Sequence, residues 1–258
     1  MKLQFIGTAS AKTSLKRFHS SVLLKDKDQS ILIDTGEAVT KALLSQYIYF
    51  NSIDSIIITH LHADHYSGLP ALITQMHLDN RTEVLNIYAD ITLIENLQDF
   101  LYNSYIFLKR LSFQINFIAT EVNVEFSVSE NVKVVSINNS HLKKYSDFDV
   151  KKRLSFTSSS LLLNFGNNRI HYSGDIGGFS DLQLMDKFNP TLLIAETAHI
   201  TFSEIKQLLP LPFPHKIILT HYSDEDIPEL KKSILSLPDE FEDKILLAED
   251  GLTLNFQV

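Results

Sequence analysis

Between Ile56 and Pro70 the chain passes from an apolar run straight into a cluster of ionisable side chains, a change that few folds accommodate. Ile56, Ile57 and Ile58 lead through Thr59 to His60, His62, Asp64 and His65, and Gly68 and Pro70 follow. The isoleucine run reads as a buried strand, and Gly68 with Pro70 reads as the entry to a helix. Four ionisable groups therefore stand in a tight loop at a strand end. There, alternate residues point the same way, so His60 and His62 reach one point while Asp64 and His65 reach a neighbouring one. Three imidazoles and a carboxylate so placed are hard to explain as a solvated surface cluster. They are metal ligands by type and spacing, suited to zinc, with iron, manganese and cobalt also open. The chain has no cysteine, which excludes thiolate ligands, thiolate nucleophiles and disulfides.

The flanking pattern supplies the architecture. Short β-branched apolar runs at 3–6, 21–24, 30–33, 55–59, 84–88 and 132–137 predict strands, and so do those at 160–165, 169–173, 191–195, 216–219, 245–248 and 252–256. Helical periodicity fits 38–50, 69–76, 92–108, 202–209 and 228–235. Two strand-rich halves with helices between them predict an α/β fold of two packed sheets covered by helices on both outer faces. No linker-like or repetitive stretch interrupts the order, so one domain over residues 1–258 is expected. The aromatic and aliphatic stretch 92–120 reads as a buried core helix in preference to a lid or an oligomer face. The polar, basic segment 143–153 reads as a solvated loop in preference to one facing a substrate.

Composition limits the partners. A net charge of -8 counts against a broad basic surface for a long polyanion, although a metal cluster still makes one pocket locally positive. The start of the chain lacks the pattern of a signal segment, and no run approaches the length of a membrane span, so a cytoplasmic, membrane-free protein is expected. A homodimer is left open.

The run His60, His62, Asp64, His65 resembles the H-x-H-x-D-H signature of the metallo-β-lactamase superfamily. The resemblance extends over nearly the whole chain and implies a four-layer αββα sandwich with two divalent metal ions, zinc first and manganese or iron as alternatives. It also implies the remaining ligands, each just past a strand. His141 follows the strand at 132–137, Asp175 follows Ser173 and Gly174 and bridges the metals, and His221 follows the strand at 216–219. His19, His77, His171 and His215 have no place in that pattern and are expected to be structural or surface residues.

Within the superfamily the flanks are most similar to ribonuclease Z, the transfer-RNA 3′-end processing enzyme, and related phosphodiesterases. The carriers are Phe5 to Ser10, Ser20 with Ser21, the Asp34, Gly36, Glu37 turn, Leu69 with Pro70, and Leu219 to Ser223. Two departures point away from transfer RNA. The Gly/Pro-rich arm of that group has no counterpart between the metal motif and His141, and its His-Glu-Ala-Thr motif appears as Ala195, Glu196, Thr197 and Ala198, with His199 close by.

These features predict a hydrolase in which paired metals activate a bridging hydroxide against a small cyclic or linear phosphodiester. Asp64 is expected to hold one metal and orient the water, and Glu196 with His199 to form the acid pair, His199 protonating the leaving oxygen. Lys143, Arg153 and the hydroxyls of Ser140, Thr157 and Ser158 are candidate phosphate contacts. The alternatives are a ribonuclease Z-type endonuclease, a lactone, thioester or β-lactam hydrolase, and a metal-free binding module of the same fold.

Overall fold

The computed structural model describes residues 1–27 and 29–257. Strands covered on both faces read as continuous apolar runs, and that is what the Ile, Leu and Val segments become. The first half forms a sheet of β1 (Lys2–Gly7), β2 (Ser21–Asp26), β3 (Gln29–Ile33), β4 (Ser55–Ile58), β5 (Leu85–Asp90) and β6 (Ile115–Thr120). The second half forms another of β7 (Glu125–Ser127), β8 (Lys133–Asn138), β9 (Ser159–Phe165), β10 (Asn168–Tyr172), β11 (Leu192–Glu196), β12 (Lys216–Thr220) and β13 (Ile245–Leu247). The last strand, β14 (Thr253–Asn255), returns to the first sheet beside β1.

The two sheets share one plan. From β14 to β3, and from β7 to β10, neighbours pair antiparallel; beyond β3 and beyond β10 they pair parallel. Each sheet thus changes sense once, and open sheets bind their ligands outside the carboxyl ends of strands near such a change.

Helices α1 (Val39–Ser45), α2 (Ala63–Tyr66), α3 (Leu69–Leu78) and α4 (Ile94–Asn103) belong to the first half, and α5 (Phe179–Leu182), α6 (Phe202–Lys206) and α7 (Ile227–Leu235) to the second. The period of two along each strand sorts side chains between layers. Ile56 and Ile58 face Leu69, Leu72 and Ile73 of α3, while Ile57 faces the second sheet beside Ile33, Tyr172 and Ile194. In β11, Leu192 and Ile194 point into the space between the sheets, whereas Leu193 and Ala195 meet Ile205 of α6 and Leu230 of α7. Each fully buried Leu or Ile contributes about 1.5–3 kcal/mol relative to exposure. The result is the αββα sandwich that the sequence pattern predicts. Among the described residues no helix is long and apolar enough to cross a membrane.

The stretch 92–120 departs from expectation. It is not one core helix: α4 buries only Leu97 and Leu101, Tyr102 and Tyr105 are exposed, and the chain then enters β6 at the sheet edge. A strand after an apolar helix is hidden by the same residues that make the helix legible. β7 also goes unpredicted, because it is a three-residue polar strand whose one anchor is Phe126 stacked on Tyr88.

Candidate metal centre

The loops after β3 and β4 lie back to back, and two glycines make that possible. A Cβ on Gly36 would stand 2.3 Å from the Asp64 carbonyl oxygen and 2.7 Å from the His19 Cβ, and one on Gly68 would stand 2.3 Å from the Gly36 carbonyl oxygen. The Thr35 amide donates to the His65 carbonyl at 2.6 Å and the Gly68 amide to the Thr35 carbonyl at 2.9 Å. The backbone carrying His60 to His65 is therefore held by direct contact with its neighbour. Asp34 and His221 adopt left-handed backbone conformations, with φ of 60° and 56°. Strain of this kind persists only where the surroundings enforce it, and it gathers at functional sites.

From the second half, His141 arrives after β8, Asp175 after β10 and His221 after β12. All seven residues expected as ligands converge, in two groups. His60, His62, His141 and Asp175 form one, and Asp64, His65, Asp175 and His221 the other, with one ligand atom from each residue within 4.8 Å of the others. Asp175 is common to both. Its Oδ2 lies 3.9 Å from His60 Nε2 and 3.5 Å from His141 Nε2, while its Oδ1 lies 3.0 Å from His65 Nε2 and 3.1 Å from His221 Nε2. Asp64 Oδ2 is 3.6 Å from both His65 Nε2 and His221 Nε2, and His141 Nε2 is 3.1 Å from His62 Nδ1.

These distances fit divalent ions. A tetrahedron with zinc bonds of about 2.0–2.1 Å places neighbouring ligand atoms about 3.4 Å apart, within the spread found here. Buried polar atoms normally find hydrogen-bond partners, yet His60 Nε2, Asp64 Oδ2, His65 Nε2 and Asp175 Oδ1 have none among the described residues. They approach one another without the alignment of hydrogen bonds. A set made only of imidazole and carboxylate suits zinc, iron or manganese.

Burial and charge act on each group separately. Burial holds the His60 imidazole well below its ordinary pKa, and burial takes that of His141 down to about 4, so both favour the neutral ring that binds a metal. Burial opposes charge on His65 too, but Asp175 and Asp34 prevail and raise its pKa well above the ordinary value. Asp175 is buried as well, and His221 and His65 nevertheless hold its carboxyl well below the usual carboxylate range.

A second layer of residues fixes these rings. Asp34, fully buried, lies 2.8 Å from His65 Nδ1 and accepts from the Thr59 amide and hydroxyl and from the Tyr172 hydroxyl. The sequence marks Asp34 only as a turn residue, and its grip on His65 appears only once β3 and β4 lie side by side. Glu196 ends β11 and is likewise buried; it accepts from the Ile176, Ala198 and His199 amides and lies 2.8 Å from His199 Nδ1. The two residues expected as an acid pair thus lie side by side, and the His199 ring stands edge-on to His141 with centroids 4.6 Å apart. Thr201 and Glu204 form a reciprocal cap on α6, which fixes the backbone just after His199.

The candidate phosphate contacts fare differently. Ser140 gives its hydroxyl to Asp181, Ser158 gives its own to the Asp175 carbonyl, and Thr157 is bonded to Thr92 and Ser155, so these hydroxyls serve the scaffold. Lys143 and Arg153 are exposed, as a solvated loop requires. Within that loop Tyr145 reaches back, its ring centroid 5.7 Å from that of His62 and 6.5 Å from that of His141. Of the histidines outside the pattern, His77 bonds Ser112 at the surface, His215 stacks on Phe213, and His171 is buried with its pKa pushed down to about 3. His19 is also buried, not a surface residue.

Two sheets between helical layers, with a His/Asp cluster shared by loops at their strand ends, give the chain the metallo-β-lactamase fold. Human tRNase Z, short form, superimposes with a TM-score of 0.72 over 100% of both chains at 21% identity. YhfI, a metallo-β-lactamase fold protein from Bacillus subtilis, superimposes with a TM-score of 0.76 over 98% of both at 19% identity. The chain belongs to the Anti-Pycsar protein Apyc1 family, whose model matches residues 1–235. It is also similar to ribonuclease Z from Limosilactobacillus reuteri (strain DSM 20016), at 32% identity over 139 residues, or 53% of this chain and 44% of the relative. The chain thus spans less than half the length of the curated relatives it matches.

Proposed function

We propose that the chain is a metal-dependent phosphodiesterase that cleaves a small cyclic or linear phosphodiester, with His60, His62 and His141 holding one ion, Asp64, His65 and His221 a second, and Asp175 bridging them. One observation carries the reading: two buried tetrads of metal-ligand atoms meet on the two oxygens of one carboxylate. Paired divalent ions there would supply an activated water and offset the negative charge that builds at phosphorus.

The chain's own residues do the rest. Asp64 directs its carboxylate into the second tetrad, where it accepts a hydrogen bond from the attacking water and orients it. Glu196 fixes the His199 ring through Nδ1, so that Nε2 carries the proton that neutralises the leaving oxygen. Phosphorus is favoured over a carboxyl centre by the likeness to ribonucleases Z. A small substrate is favoured over RNA by the net charge of -8. It is favoured also because the chain from His65 to His141 is taken up by sheet strands, covering helices and their connections. Long RNA is held chiefly by many basic phosphate contacts, and its binding weakens steeply with salt.

The test is metal analysis of protein purified without chelator, followed by kcat/KM for a cyclic nucleotide, bis(p-nitrophenyl) phosphate, a lactone and a precursor transfer RNA at low and near-physiological salt. The expected result is about two ions per chain and preference for small phosphodiesters at both salts. Efficient, accurately placed cleavage of the transfer RNA at physiological salt would restore the ribonuclease Z assignment. A preference for the lactone would move the chemistry to carbon.

A further inference from the structure

Three of the candidate ligand rings are steered from behind, through Nδ1. His60 meets the Thr59 hydroxyl at 3.1 Å, His65 meets Asp34 at 2.8 Å and His141 meets the Ile176 carbonyl at 3.3 Å. A metal-binding imidazole is ordinarily held this way, because the bond at one nitrogen fixes the ring and the tautomer at the other. His221 differs: it is buried, and its Nδ1 has no hydrogen-bond partner among the described residues. The direction of that ring therefore depends on the backbone that carries it. This backbone is left-handed, with φ of 56°, a conformation uncommon away from glycine that lasts only where neighbours enforce it.

The enforcing group is Arg17. Its Nη2 donates at 2.8 Å to the carbonyl of Tyr222, the residue after His221, and its Nη1 donates to the Thr8 carbonyl at 3.2 Å. Its guanidinium carbon lies over the Tyr222 ring, 4.1 Å from the centroid. Asp224 Oδ1 accepts from Nε at 3.0 Å and from Nη2 at 2.8 Å, and the arginine side chain is only 7% exposed.

We propose that Arg17 is a positioning residue for His221, setting the affinity and geometry of the ion assigned to Asp64, His65 and His221 without touching it. The proposal rests on the metal assignment above and concerns how one ligand of that ion is aimed.

The clamp is braced on both sides. The second oxygen of Asp224 accepts from the Ser14 hydroxyl at 2.8 Å, and that hydroxyl oxygen accepts from the Arg17 amide at 3.1 Å, so the loop presenting Arg17 is closed on itself. Asp250 accepts from the Thr8 amide and hydroxyl and from the Phe18 amide, and the Tyr222 hydroxyl donates to the Ala248 carbonyl. Tyr222 is thus gripped at its carbonyl, its ring face and its hydroxyl, and the peptide that joins it to His221 has little freedom to turn. A planar guanidinium suits the task, since its donors diverge in fixed directions while its face covers a ring, and an ammonium has no such face. Among the described residues the hydrogen bonds of Arg17 run to Ser14, Asp224, Thr8 and Tyr222 and not to the segments bearing His60, His62 and His141. The ion assigned to those three histidines is therefore an internal control.

The test compares wild type with Arg17→Met, Arg17→Lys and Asp224→Asn. Competition against a chelator gives the stepwise zinc affinities, and the step lost in His221→Ala identifies the ion in question. Calorimetry gives the melting temperature of each metal-free protein, and visible absorption of the cobalt(II)-loaded protein reports coordination geometry. The expected result is that Arg17→Met weakens the ion at His221 about tenfold, leaves the other within about threefold, and alters the cobalt spectrum at full loading. Arg17→Lys should recover part of the loss, and Asp224→Asn, which loosens Arg17 without removing it, should show the same selective pattern to a smaller degree. Charge alone predicts the opposite sign, because removing a cation beside a cation site strengthens metal binding. Unchanged or tighter zinc in Arg17→Met would overturn the proposal alone, and so would equal weakening of both ions in step with a lowered melting temperature. If Arg17→Met does not fold, Asp224→Asn decides by the same readings. A wild type that binds fewer than two ions would overturn the metal assignment and the proposal with it.

Discussion

Replacing Asp34 by asparagine exchanges one carboxylate oxygen for an NH2 group with almost no change of volume, and its effect follows from the partners of that carboxylate. Asp34 faces His65 Nδ1 at 2.8 Å and also receives the Thr59 amide at 2.9 Å, its hydroxyl and the Tyr172 hydroxyl. As an anion it accepts from all of them, which keeps the proton of His65 on Nδ1 and frees Nε2 for a metal. Asparagine has one accepting end. If its oxygen stays with Thr59, its NH2 group faces His65 and forces the proton onto Nε2, which removes the ligand. If it turns round, two donors meet at Thr59 in a buried site, a mismatch of about 1–3 kcal/mol. Loss of such an orienting partner typically lowers metal affinity about 10–100-fold, or about 1.4–2.7 kcal/mol. The assay is competition against a chelator of known affinity, with circular dichroism to confirm the fold. The ion held by Asp64, His65 and His221 should leave Asp34→Asn first. Affinities within about threefold of wild type would refute the argument that Asp34 sets the His65 tautomer.

Asp175→Ala should reduce bound metal to at most about one ion per chain and abolish turnover, because both tetrads lose a member; mass spectrometry of the metals decides it. His199→Gln should slow cleavage of a poor alkoxide leaving group about a hundredfold while affecting p-nitrophenolate far less, since a good leaving group needs no proton; equal losses would remove His199 from the proton transfer. Gly36→Ala should lower thermal stability by about 1–3 kcal/mol and weaken metal binding, as the new Cβ meets the Asp64 carbonyl; differential scanning calorimetry reads the first effect and chelator competition the second. Acidification should weaken metal binding. The raised pKa of His65 keeps that ring protonated through neutral pH, and an ion has to displace the proton, so apparent affinity should rise with pH until His65 is neutral and then level off.

The strands were legible because the sandwich covers them on both faces, so that β4 or β12 has to be apolar throughout to exist. The candidate ligands were legible because each follows such a strand, and the loop from His60 to His65 concentrates four of them. What stayed hidden depends on contacts between distant segments. Asp34 reads as a turn former until β3 pairs with β4. Ser140 and Ser158 read as hydroxyls free for a phosphate until Asp181 and the Asp175 carbonyl claim them. β6 was masked by apolar residues continuing from α4, and β7 by having almost none.

The membership of the two tetrads has a kinetic consequence. Each takes two residues from the first half of the chain and two from the second: His60 and His62 with His141 and Asp175, then Asp64 and His65 with Asp175 and His221. His62 and His141 are 79 residues apart, and that contact closes only when the sheets have met. Neither half alone can complete a site, so an ion has nothing to organise during the early, local steps of folding, and contacts of such long range form late. An interaction absent from the folding transition state leaves the rate of folding alone and slows the rate of unfolding. Metal bound here would act as a latch on a structure already assembled, lengthening the life of the folded chain without hastening its birth.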